Sequence, residues 1–67
     1  MALDYQEYKE VVSYHIKQLS NCDNALVIAD KFDDRINKGW RFGNACLEVA
    51  RDIISNALSE GYKGGSE

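Results

Sequence analysis

Proline is absent from this chain, and histidine and tryptophan occur once each. The two cysteines, Cys22 and Cys46, stand 24 positions apart and form no C-x-x-C pair. A domain of 67 residues buries only about 60% of the surface its unfolded chain exposes. At this size the usual supplements are disulfides, a structural metal or oligomerisation. One disulfide between Cys22 and Cys46 is open but not implied. The N-terminus MALDYQEYKE is polar and acidic and does not read as a secretory signal. Reduced thiols and a cytoplasmic setting are therefore expected. A single histidine without a cysteine pair gives no metal-ligand set, so no metal is expected. No apolar run approaches the ~20 residues of a membrane span. Self-association is left as the expected supplement.

Positive charge is also in deficit. Eleven carboxylates oppose eight basic residues, for a net charge of −3. This argues against nonspecific nucleic-acid binding, which needs a positive face, while leaving room for a local basic patch. Apolar residues make up 45% of the chain, too many for a disordered body.

What is present reads as helix. Asp4 and Glu7 have the spacing of a capping box, which opens a first helix over about residues 4–19. Tyr5, Tyr8, Val12, His15, Ile16 and Leu19 fall within a stripe of about 100° on it, and Tyr14 faces the other way. Ser20, Asn21, Cys22 and Asp23 break the pattern, because short polar side chains bond nearby backbone amides. A second helix is expected over about 23–38, with Ala25, Ile28, Ala29, Phe32 and Ile36 inward and Val27 outward. Gly39 is a candidate C-terminal cap. A third helix is expected over about 40–60, its start blurred by Gly43 and Asn44. Gly61 ends it, and residues 62–67, YKGGSE, read as a flexible tail. The expected fold is all-α, in one domain over residues 1–61. It is a small three-helix antiparallel bundle, or a helical hairpin plus a short helix, completed by dimerisation.

The third segment carries two apolar faces. Phe42, Cys46, Val49 and Ile53 make one. Trp40, Leu47 and Ile54, spaced by seven residues, make the other with Leu58 beside them. At about 100° per residue these rows diverge by more than ~90°. A surface helix of a monomer needs one apolar stripe. The second row, with small Ala50 between its large members, suits a closely approaching helix from another chain. The expected dimer seam is Trp40, Leu47, Ala50, Ile54 and Leu58. The competing reading buries both faces inside one bundle.

Three further groups carry chemistry. Asp23, Asp30, Asp33 and Asp34 project from one side of the second helix beside Leu26. Like charges at i, i+3 and i+4 disfavour a helix by a few tenths of a kcal/mol per pair. With Tyr14 they form the expected docking surface for a macromolecular partner; the plainer reading is a solvated face. Arg35, Lys38, Trp40 and Arg41 make a basic, aromatic turn that could hold phosphates and stack on bases. It carries the alternative reading, a small RNA- or nucleotide-binding protein. His15 lies on an apolar face with no nucleophile marked beside it, so the chain is not expected to be an enzyme. No phosphate loop, dinucleotide fingerprint or nucleophile elbow occurs, and no cofactor is expected. In size and general style the chain is similar to the small helical accessory factors of phages and plasmids, a resemblance of type with no motif behind it. The expected function is a regulatory or interaction module that self-associates through its third helix and docks a protein partner on its acidic face.

Overall fold

The computed structural model describes residues 3–43 and 45–61. Over them the chain forms α1 (Tyr5–Ser20), α2 (Ala25–Lys31), α3 (Asp33–Phe42) and α4 (Cys46–Ser59), with no strand among the described residues. The all-α expectation holds. The expected tail, 62–67, and Asn44 at the blurred start of the third helix lie outside the described residues.

The helix α1 starts where the capping box places it. The Asp4 carboxylate accepts the Glu7 N–H at 2.8 Å, and the Glu7 carboxylate accepts the Asp4 N–H at 3.2 Å. Two amides that lack helical partners are thereby satisfied. The helix ends on Asn21, at φ 53°, whose N–H bonds the Lys17 carbonyl at 2.8 Å. Asparagine is one of the few residues that enters this left-handed region readily. Tyr8, Val12 and Ile16 are buried along one stripe, and Tyr5 packs at its end.

The single helix expected over 23–38 is two helices. Phe32, at φ −106° and ψ 32°, lies off the helical conformation. Its N–H still bonds the Ile28 carbonyl at 3.1 Å, while its own carbonyl accepts from Arg35 at 3.0 Å and Ile36 at 3.1 Å. One helix therefore closes and the next opens on the same residue. The break relieves the charge problem read from the sequence. Asp33 and Asp34 occupy the first turn of α3, where the positive end of the helix dipole favours carboxylates.

A second correction concerns the segment 40–60. Trp40 and Phe42 belong to α3, which ends on Gly43 at φ 72°. Only α4 continues the expected third helix. A left-handed residue resets the helical phase, so the seven-residue spacing of Trp40 and Leu47 does not put them in one row. Phe42, expected inward with Cys46, is 78% exposed.

Buried side chains from all four helices, joined by Cys22 from the α1–α2 turn, form one cluster. Ile16, Ile36 and Ile53 are its largest fully buried members. The pair α1–α4 makes the most extensive helix contact. Arg35 pairs with Asp52 at 2.8 Å, and Gly39 faces Val49, so α3 runs against α4. The point of closest approach is Gly39. A Cβ there would lie 2.8 Å from Val49 Cγ2 and 2.9 Å from the Tyr8 hydroxyl. Both neighbours are buried and have little room to yield.

Gly39→Ala is expected to destabilise the fold by about 1 kcal/mol, and by no more than about 2 kcal/mol. Overpacking of ~1–3 kcal/mol outweighs the ~1 kcal/mol gain in helix propensity. Chemical denaturation followed by circular dichroism measures this, and a stability equal to or above the parent would refute the close-approach argument.

Candidate functional site

Four acidic residues were expected on one side of the second helix, and the structure divides them. Lys9, from α1, reaches across to the Asp30 carboxylate and lies 3.3 Å from that of Asp33. The Tyr5 hydroxyl donates to the same Asp33 carboxylate. Trp40 packs edge-on against Tyr5, with ring centroids 5.8 Å apart, and its indole N–H donates to the Leu3 carbonyl at 2.8 Å. Asp30 and Asp33 thus fasten α1 to the α2–α3 break. Asp34 stays exposed, and Asp23 lies apart in the α1–α2 turn.

The electrostatics of this cluster follow from its geometry. The Tyr5 hydrogen bond, seconded by Lys9, holds the Asp33 carboxyl below its usual range against the opposing effect of burial. Burial, then the Asp33 carboxylate, pushes Tyr5 up to about 12. The hydrogen bond to Asp30 raises Lys9. Elsewhere, burial raises Tyr8 and Cys46.

The expected seam is also divided. Ala50 is fully buried, which removes it from any seam, and Trp40 is engaged with Tyr5 and Leu3. The other three residues share one side of α4. Leu47 is 40% and Leu58 61% exposed, with Ile54 half-buried between them. Helical phase explains the division: Val49, Ile53 and Ala57 point inward, while Leu47, Ile54 and Leu58 lie about 100–140° round the axis. Asp52, which binds Arg35 of α3, marks the opposite flank. On α1, Lys9 marks the flank facing α2 and α3, and Val11 and His15 lie on the other. The α1–α4 pair is therefore covered on one side by α2 and α3. By helical phase its outer side carries Val11, His15, Leu47, Arg51, Ile54 and Leu58.

Tyr14 and Asp23 meet in a groove of about 450 Å³ between α1 and α2, with Glu10, Lys17, Ala25 and Leu26. Tyr14 is 60% and Leu26 58% exposed. Tyr14 also packs edge-on against His15, ring centroids 5.6 Å apart.

The basic turn is not one surface. Arg35 and Lys38 line a cavity of about 360 Å³ with Val49 and Asp52. Arg35 is paired there with Asp52, and Arg41 is exposed. Trp40 projects about 140° away from Arg35 round α3, toward α1. Both cysteines are free thiols. Among the described residues no group of three or more His, Cys, Asp or Glu side chains could hold a metal ion, and no helix is long and apolar enough to cross a membrane. Comparison with protein-family models, curated proteins and solved structures gives no match.

Sequence reasoning missed the fastening role of Lys9 and Tyr5. No local pattern announces a contact spanning 21 or 28 positions. Leu26 did give a signal, as a lone leucine among carboxylates.

The shifted groups set the pH dependence of stability. Tyr5, raised above its ordinary 10.0 to about 12, contributes stability that is complete below pH 10 and lost as pH rises through 12. Lys9 acts in the same sense. Asp33, lowered, contributes stability that is present above the usual carboxylate range and lost as pH falls through its own value. Thermal melts from pH 2 to 12 are expected to trace a dome. Tyr5→Phe is expected to shrink the alkaline fall, leaving the part due to Lys9, Tyr8 and Cys46. An alkaline limb unchanged in Tyr5→Phe would contradict this assignment.

Proposed function

We propose that this chain is a small helical interaction module that self-associates through the outer side of α4 and docks a macromolecular partner on its α1–α2 side. The observation that carries the reading is the row Leu47, Ile54 and Leu58. Leu47 and Leu58 are exposed at its two ends, and Ile54 between them packs partly against the core to which the helix's inner side is committed. Exposed leucines scattered singly need no explanation, but an aligned apolar row on a small domain marks an interaction surface.

The partner for this row is a second copy. A two-fold axis sets the same patch against itself, so one apolar face satisfies both chains. Val11 and His15 of α1 extend the patch. Helices of about 21–24 Å lying 8–10 Å apart present a face of roughly 400 Å² per copy. That falls at the small end of interface sizes, so the dimer is expected to dissociate on dilution. An antiparallel pairing of the two α4 helices sets Arg51 beside the partner's Ile54. A parallel pairing would oppose Arg51 to itself, which like-charge repulsion disfavours.

Light scattering coupled to size exclusion tests the reading. A mass near twice 7.6 kDa is expected at hundreds of micromolar, falling toward the monomer on dilution. Leu58→Asp is expected to give monomer at every concentration with helix content unchanged, because the side chain is exposed within one chain. A parent protein that stays monomeric at the highest concentration, or a dimer that survives Leu58→Asp and Leu47→Asp together, would end the proposal.

A further inference from the structure

The groove between α1 and α2 has features that the self-association does not use. Tyr14 and Leu26 stand on its two walls, each more than half exposed. The groove is shallow and open to solvent. Its lining mixes these apolar side chains with Glu10, Lys17 and Asp23. A pocket for a small ligand instead encloses most of the ligand's surface. The charge has a direction. Lys17 and Asp23 balance at the end near the α1–α2 turn. Toward the other end, Glu10 accepts a hydrogen bond from Gln6 and pairs with no cation among the described residues, and Asp30, one turn beyond Leu26, remains well exposed although Lys9 holds it. That end is net negative.

We infer that this groove binds a short amphipathic segment of another protein, seating an apolar side chain between Tyr14 and Leu26 and Lys or Arg side chains toward Glu10 and Asp30. The inference rests on the reading of the chain as an interaction module and names the chemistry of its partner. From Glu10 to Lys17 the groove follows two turns of α1, roughly 10 Å. Two turns of a docked helix match this length, in the manner of an amphipathic helix laid in a groove. Tyrosine suits the role, since it offers broad contact area at low entropic cost together with a polar tip. The charge selects the occupant. A second copy of this chain brings eleven acids against eight bases, and nucleic acid brings phosphate, so both are disfavoured by the negative end.

The probe is a fluorescein-labelled 12-residue helical peptide with leucines four positions apart and lysines on the adjoining face. Its controls carry glutamate for every lysine, or serine for every leucine. Fluorescence polarisation gives the affinity at low salt, and amide chemical-shift mapping gives the place. The lysine–leucine peptide is expected to bind, shifting the amides of Ser13, Tyr14, Ala25 and Leu26. Each control peptide is expected to bind at least tenfold more weakly. Tyr14→Ala and Leu26→Ser, both at exposed positions, are each expected to weaken the parent peptide at least tenfold with unchanged circular dichroism. Shifts that map to the Leu47–Leu58 row, equal binding of the serine control, or full affinity in Leu26→Ser would each overturn the inference. Light scattering on the same samples keeps the two readings apart. A dimer that ignores the peptide removes the groove alone, and a monomer that binds it in the groove removes self-association alone.

Discussion

Gly39 allows the backbone of α3 to come close enough to α4 that any side chain at that position would enter the space of Val49 and Tyr8. Three helices meet at this point. Interiors are packed to the density of organic crystals, so even one methyl group there has to displace something. With α3 held this close, Ile36 reaches the core and Arg35 reaches Asp52. Trp40, on the same helix, is carried to Tyr5. The glycine acts as a contact surface, and its position inside α3 costs helix propensity of about 1 kcal/mol that the packing offsets.

The break at Phe32 serves the same arrangement from the other side. It places Asp33 and Asp34 at the start of α3, where the helix dipole favours them, and it brings Asp33 within reach of both Tyr5 and Lys9. Carboxylates that would repel along one helix become the fastening between α1 and the α2–α3 bend. These contacts are half-exposed, so screening keeps each one modest. Their effect is to fix where α1 sits, and with it which flank of α1 faces the solvent.

Both proposed surfaces follow from that placement. With α2 and α3 lying on one side of the α1–α4 pair, the other side is left open as a mostly apolar face, suited to a copy of itself. The groove between α1 and α2 is narrower and mixed, with a negative end, and suits a basic amphipathic segment. The two surfaces lie on different flanks of α1 and adjoin at the Tyr14–His15 ring contact.

Local signals in the sequence determined the helical class, the capping box at Asp4 and Glu7, the turn at Asn21 and most of the core stripe on α1 and α2, because each depends on neighbours within one or two turns. The exposure of Leu47 and Leu58 was legible for the same reason, being a matter of phase within a single helix. Gly43 was legible as a possible cap or interruption, but phase cannot be carried through its left-handed conformation, so reading 40–60 as one helix puts Trp40 and Phe42 in the wrong one. Ala50 looked like part of a seam because its small size fits a close helix contact of either kind; tertiary packing put it inside the chain. The division of the acidic residues, the fastening by Lys9 and Tyr5 and the close approach at Gly39 were decided by the tertiary structure alone. They join positions about 10 to 30 apart, and contacts at that separation are set by how the helices pack together.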